Sequence, residues 1–394
     1  MKHIRLFLIM LYVAVAAEAQ TFEDALHIVA NNNLSLAATL AKIEGDKALM
    51  RSENNLPDTE IGYDQKWSNS GLGSKWGVSI SQGFEWPGIY SERGEAIALS
   101  SQALDFLYKS EYLDKLAEIK LLLIDIVNTR KRISLLHQID ETMQQLKAKY
   151  AEGYAQGEVT ILDINKIEIQ QISIKRQYNS LIAQMAVLEN QLLAENGGND
   201  CSMIIESLTE YPEEILMSVD VYAELIENSD PLLHYNTLQL EAKAKNYSVA
   251  KMGRYPGFSI GYIHENELGE HFNGFSIGVS LPFFSQRHKT TMAEALRQSA
   301  TYDLNATKTQ RLTTMYAQRA TAVTLYQEIE MYRPIFEDSN NLDLLRKALD
   351  GGQMSLLDYL QEVNFFLQAR LDYMDVVYQY HQQLTHLNRN LLIK

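Results

Sequence analysis

The chain has 394 residues, 46% of them apolar and only 7 of them proline, which excludes a disordered protein and leaves room for two or three ordinary domains. A formal net charge of −15 argues against nucleic-acid binding, which needs a basic footprint. The single cysteine, Cys201, excludes a disulfide framework and a cysteine-rich zinc site.

At the N-terminus, Lys2, His3 and Arg5 precede the apolar run Leu6–Ala17, and Ala17-Glu18-Ala19 supplies an A-x-A pattern. Charged region, apolar region and small-residue site read as a secretory signal peptide over residues 1–19, cleaved after Ala19. The alternative, a membrane anchor, needs about 20 apolar residues, more than this run provides. No cysteine sits at the new N-terminus, so no lipoprotein anchor is expected. No later stretch reaches 18 uninterrupted apolar residues. An exported soluble protein and a membrane β-barrel with a weak strand signal both remain open.

A helix is expected over Phe22–Glu53, followed by two strands near residues 60–67 and 74–82. In "EIGYDQKW" Ile61, Tyr63 and Trp67 share one face, and in "SKWGVSIS" Trp76, Val78 and Ile80 do. The "GLG" at Gly71–Gly73 reads as the turn between them. A proline-free helical stretch then runs from Glu92 to Ala151, about 90 Å at 1.5 Å per residue. A glycine break near residues 152–160 ends it. In the helix that follows, Ile174, Tyr178, Leu181, Met185, Leu188 and Leu192 step alternately by four and three, the coiled-coil seam.

The second half repeats this order: a helix over Val219–Met252, strands near 258–264 and 272–281, a long helical stretch over His288–Asp350, and a break near 350–355. Phe258, Ile260 and Tyr262 share one face of the first strand; Phe275, Ile277, Val279 and Leu281 share one face of the second. Pro334 should interrupt the long helix. Leu356, Leu360, Val363, Leu367, Leu371, Met374 and Tyr378 form the matching seam. "GEVTILD" recurs as "GQMSLLD" at an offset of 195, "IGY" at 199, and "GVSI" as "GVSL" at 201. Such a period suggests an internal duplication, with repeats over 20–210 and 211–394.

The polar faces of the strands are rich in Gly and Ser, and Trp67, Trp76, Trp86, Phe258, Phe272 and Phe283 cluster near strand ends. That is the pattern of a membrane barrel with an apolar outside, a polar lumen and aromatic girdles. One-sided hairpins on a soluble core are the alternative. Four strands cannot close a barrel, so a membrane reading requires several chains to share one.

With the signal peptide, paired halves, two strands per half, long helices, and the phrases "YAEGYAQGEVTILDI" and "LRKALDGGQMSLLDYL", the chain resembles the TolC-like outer-membrane efflux ducts. The resemblance covers essentially the whole chain after the signal peptide. It implies a mainly α fold with a small β part, internally duplicated. Coiled-coil hairpins would form a periplasmic α-barrel, and four strands per chain a shared 12-stranded barrel in the outer membrane of a Gram-negative bacterium. The partners it implies are a homotrimer, a periplasmic adaptor, an inner-membrane efflux transporter and outer-membrane lipid. No cofactor, metal or nucleic acid is expected.

In that family the glycine phrases lie at the periplasmic tip. The resemblance therefore places adaptor docking on Gly157, Glu158, Val159, Thr160 and Leu162, and on Gly352, Gln353, Met354, Ser355 and Leu357. Asp163 and Asp358 have two readings: N3 acids of helices capped by Thr160 and Ser355, or members of a gate. The family pattern carries an arginine where this chain has Met354 and an acidic position where it has Gln361, so any closed-state network must differ here.

No P-loop, G-x-S-x-G or G-x-G-x-x-G occurs, and none of the nine histidines has metal-ligand spacing. His264, His271 and His288 bracket the second strand pair; of a metal site and plain loop or rim histidines, the second is the favoured reading. No catalysis is expected. The competing functions are an exported coiled-coil structural or adhesin-like protein and a periplasmic adaptor.

Overall fold

The computed structural model describes residues 22–69, 73–336 and 341–392. The expected signal peptide lies outside the described residues, as do Gly71 and Leu72 of the expected strand turn. The chain is mostly helical with one small sheet. In order, the elements are α1 (Phe22–Asn32), α2 (Leu34–Ser52), β1 (Thr59–Trp67), β2 (Ser74–Phe84), α3 (Pro87–Ala155), α4 (Ile161–Glu195), α5 (Ser202–Ser207), α6 (Val219–Ser229), α7 (Pro231–Met252), β3 (Gly257–Glu267), β4 (Glu270–Ser280), α8 (Lys289–Phe336), α9 (Asn341–Asp350) and α10 (Leu356–Leu387). The chain divides into two compact units, one made of residues up to Ala37, Tyr112–Ala223 and Thr313 onward, the other of Ala38–Glu111 and Glu224–Leu312.

The first unit is helical and holds two apolar clusters. One joins Ala25, Leu26 and Val29 of α1 to Leu116, Leu123 and Ile126 of α3, to Leu188 and Leu192 of α4, and to Ile204 of α5. The other joins Leu136, Ile139 and Met143 of α3 to Ile167 and Ile174 of α4 and to Leu360, Val363 and Leu367 of α10. The three-four spacing read from the sequence is thus the buried stripe of each helix: Ile174, Leu188 and Leu192 on α4, and Leu356, Leu360, Val363, Leu367 and Leu371 on α10. Each such side chain contributes about 1.5–3 kcal/mol by leaving water.

The two opening helices depart from expectation. Phe22–Glu53 is not one helix but two, parted at Asn33, and Val219–Met252 is parted at Asp230. Both breaking residues are buried, at 4% and 2% exposure. Asn33 Oδ1 accepts the Leu36 N–H at 3.0 Å, while its amide nitrogen donates to the Glu195 carbonyl and carboxylate at 3.0 and 2.6 Å. Asp230 accepts from the N–H groups of Leu232 and Leu233 at 2.8 and 3.3 Å, with Pro231 in the first helical turn. These are N-caps, and they restart the helix at once. Pro334 sits inside the last described turn of α8, where its missing N–H and its ring disfavour regular helix.

The second unit carries the sheet. Its order is β1-β2-β3-β4, antiparallel throughout, so β1 and β4 each have one neighbour. Register puts Ile61, Ile80, Tyr262 and Phe275 in one row on one face. The next row, Gly62, Ser79, Ile263 and Gly274, lies on the other face, followed there by Glu60, Ser81, Gly261 and Ser276. A Cβ on Gly261 would stand 2.8 Å from the Ile80 carbonyl oxygen, so this position in the row favours glycine.

Strands β3 and β4 reach further than expected. They meet in a two-residue turn, Leu268-Gly269, with φ of 54° and 92°, the left-handed pair of a type I′ hairpin. A leucine in a left-handed position is no turn signal, so the sequence placed the strand ends at 264 and 272 and missed the turn. Leu281 lies one residue beyond β4.

Candidate functional site

The two glycine breaks of the first unit fold into the same turn. After α3, Gly157 takes φ 78°; its N–H donates to the Tyr154 carbonyl at 3.0 Å, and the Glu158 N–H to the Gly153 carbonyl at 2.9 Å. After α9, Gly352 takes φ 68°; its N–H donates to Leu349 at 3.1 Å, and that of Gln353 to Ala348 at 2.9 Å. Each is a Schellman cap, in which a left-handed glycine lets the chain satisfy the last helical carbonyls.

Three residues after each glycine the next helix begins. Thr160 and Ser355 are extended N-caps. Asp163 Oδ2 accepts the Thr160 N–H at 3.2 Å and its hydroxyl at 2.7 Å, and Oδ1 meets Lys166 Nζ at 3.1 Å. These bonds, the Thr160 hydroxyl first, hold the Asp163 carboxyl below the usual aspartate range. Ser355 Oγ accepts the Asp358 N–H at 3.2 Å and donates to Asp358 Oδ2 at 2.6 Å. Asp163 thus reaches back to the backbone of its own N-cap residue, and Asp358 to the side chain of its own.

Of the residues assigned to docking, Gly157, Glu158, Thr160, Leu162, Gly352, Gln353, Ser355 and Leu357 are exposed and Val159 is half-buried. Met354 is half-buried against the second apolar cluster. Leu162 and Leu357 occupy the same helical position, at 65% and 50% exposure. Gln361 and Asp358 are exposed on α10. Sequence reasoning missed the pair of cross-links beside the turns: Lys149 meets Asp350 at 2.8 Å, and Arg346 donates to Gln145 at 2.6 Å. Both join α3 to α9 at a separation of 201 residues, the offset already seen between the strand phrases.

On the sheet of the second unit, Ile61, Tyr63, Trp67, Val78, Ile80, Phe258, Ile260, Tyr262, Phe275, Ile277, Val279 and Leu281 are all exposed. Phe275 and Ile277 reach 85% and 82%. Trp76 is half-buried, its ring 5.7 Å from that of His264. Phe284, unmarked in the sequence reading, is 89% exposed in a Phe-Phe pair just past β4. The opposite face carries charge near the hairpin ends, where Lys75 bridges Glu265 and Glu267 at 2.8 and 3.4 Å. A continuous apolar face and two unpaired edges are costly in water: each large side chain left exposed forgoes about 1.5–3 kcal/mol, and open edges invite pairing.

Among the described residues no helix is long and apolar enough to cross a membrane, and no group of three or more His, Cys, Asp or Glu could hold a metal ion.

No family model matches the chain. It is 21% identical over 400 residues to the cobalt-zinc-cadmium resistance protein CzcC of Cupriavidus metallidurans, spanning 95% of this chain and 91% of that protein. Among solved structures, the outer-membrane channel OprN is similar with a TM-score of 0.78 at 12% identity, over 94% of this chain and 89% of that one. A membrane protein from Pseudomonas aeruginosa gives 0.77 at 19% identity, over 95% and 90%. CusC, described for its folding and transmembrane channel formation, gives 0.76 at 14% identity, over 96% and 95%.

Proposed function

We propose that this chain, which has the fold of the TolC-like outer-membrane channels, is one subunit of a trimeric exit duct in the outer membrane of a Gram-negative bacterium. The observation that carries the reading is the sheet: one face of large apolar side chains, the other of Gly, Ser and charge, and the outer edges of β1 and β4 unpaired by any strand among the described residues. Three copies joined β4 to β1 make twelve strands, enough to close a barrel with lipid outside and water within. Matching turns at Gly157 and Gly352 and matching N-caps at Asn33 and Asp230, 197 residues apart, support two repeats that each contribute one helical hairpin.

The duct conducts passively, without catalysis of its own. A periplasmic adaptor docks on the two exposed turns, through Gly157–Thr160 with Leu162 and Gly352–Ser355 with Leu357. An inner-membrane transporter delivers the cargo through that adaptor. The likeness to a cobalt-zinc-cadmium resistance protein makes divalent metal ions the first cargo to assay.

The test is expression in a Gram-negative host, membrane fractionation, and mass determination of the detergent-extracted protein. A trimer in the outer-membrane fraction that conducts in planar bilayers is expected. A monomer free in the periplasmic fraction overturns the reading and favours an exported coiled-coil protein.

A further inference from the structure

The β3–β4 hairpin holds two histidines that the duct does not use. His264 lies opposite Asn273 and His271 opposite Asn266, so the two are diagonal neighbours on the apolar face of the sheet. Their rings stack with centroids 5.6 Å apart and planes at 21°. Each ring is held at Nδ1 by an asparagine. His264 Nδ1 is 2.7 Å from Asn273 Oδ1, which also accepts the Tyr262 hydroxyl at 2.7 Å. His271 Nδ1 is 3.3 Å from the Asn266 amide nitrogen.

Each contact fits one tautomer of its ring. A carbonyl oxygen at Nδ1 makes that nitrogen the donor, so neutral His264 keeps its proton there and presents a free lone pair at Nε2. At His271 the Asn266 amide donates to Nδ1, which places the proton on Nε2. Turning that amide end for end offers its oxygen instead, moves the proton to Nδ1 and frees Nε2. Imidazoles oriented by an oxygen acceptor at the second ring nitrogen are the arrangement that metal-binding histidines use.

We propose that His264 and His271 form a two-imidazole chelate for an exchangeable divalent transition-metal ion, Cu²⁺ or Ni²⁺ before Zn²⁺, with water completing the coordination shell. Imidazole suits these metals, and Cu²⁺ heads the affinity order. With metal–nitrogen bonds of about 2.0–2.1 Å, the two Nε2 atoms must close to roughly 4 Å or less, a rotation of side chains on a backbone fixed by the strand ladder. Two protein ligands, against the three or four of a resident zinc site, suit an ion that comes and goes. The pair belongs to a single hairpin, so the site stands whether or not the chains assemble into a duct.

Trp76, beside His264, supplies the reporter. The experiment titrates the purified full chain in detergent with CuCl₂ and with NiCl₂, following tryptophan emission and calorimetric heat. Saturable quenching with one ion per chain, reversed by EDTA, is expected for the wild type. His264→Ala and His271→Ala should each abolish the saturable phase, and so should the bulkier His264→Gln and His271→Gln, with circular dichroism establishing that each variant is folded. Trp76→Phe should keep the calorimetric binding and lose most of the quenching. Binding that persists unchanged in a folded histidine variant, or the absence of a saturable phase in the wild type, overturns the proposal.

Discussion

The helical hairpins and the sheet satisfy their apolar residues in opposite ways. On α4 and α10 the three-four stripe finds its partners inside the chain, and Ile167, Ile174 and Leu367 have almost no contact with solvent. On the sheet the period-two stripe has no layer packed over it among the described residues, and Phe275, Ile277 and Ile61 are 85%, 82% and 76% exposed. Local sequence rules built both regions equally well. They differ in what the chain supplies by itself: the hairpins bury their stripe against other helices of the chain, whereas the sheet leaves its stripe exposed, and the proposed duct would cover it with lipid.

The largest expected effect tests that difference directly. Val78→Lys on the sheet should abolish recovery of trimer from the outer membrane while far-UV circular dichroism keeps its helical signal. A lysine facing lipid near mid-bilayer costs about 2–4 kcal/mol per chain, whereas a lysine at an exposed position in water would shift stability by no more than about 0.5 kcal/mol. Normal trimer yield would mean that water bathes this face, and the contrast between the two regions would vanish.

Next in size is a change on the hairpin side. Ile167→Ala, at a fully buried position, should destabilise the helical unit by about 2–5 kcal/mol through lost transfer energy and a cavity. Denaturant titration of the detergent-extracted protein should show the earlier unfolding. Membrane fractionation should be unaffected, because the sheet is untouched.

The helical part was legible to the extent that its rules are local. Ile174 to Leu192 and Leu356 to Leu371 announce their burial by spacing alone, and the two Gly turns announce themselves by repetition. The breaks at Asn33 and Asp230 were not read, although each left a trace: a run of three asparagines, Asn31–Asn33, and an Asp-Pro pair. Within a stretch of good helical periodicity a cap is outweighed by the pattern around it. At Asn33 the deciding partner is Glu195, distant in sequence. The Leu268-Gly269 turn was hidden because leucine stands where turn chemistry favours Asn, Asp or Gly. The cross-links from Lys149 to Asp350 and from Arg346 to Gln145 were hidden because charged residues on helix faces look alike until the helices are placed. On the sheet, the alternation showed which residues share a face, and it could not show what lies against that face.

A smaller effect separates structure from docking at the turns. A side chain on Gly352 would meet no atom within 4 Å, so its cost is that of the left-handed backbone, about 1–2 kcal/mol. Gly352→Val should therefore leave trimers intact while weakening adaptor cross-linking and efflux in cells. Loss of trimers would assign the glycine to folding alone.

The smallest effect compares the two caps that the duplicated phrases share. Asp163 accepts from the Thr160 N–H, the Thr160 hydroxyl and Lys166, whereas the Asp358 carboxylate accepts from the Ser355 hydroxyl. Asp163→Asn should therefore cost more than Asp358→Asn, on the order of 0.3–1 kcal/mol against less. The sign with pH follows from the depressed carboxyl of Asp163. Its contribution is present above the unfolded aspartate value of about 3.9 and is lost as pH falls through the lower folded value. Thermal unfolding followed from neutral to strongly acidic pH should show wild type and Asp163→Asn converging only below about pH 4. Equal losses from the two aspartates at neutral pH would mean that the additional acceptor bonds of Asp163 add nothing to the first cap, leaving the turns alike in energy as well as in backbone.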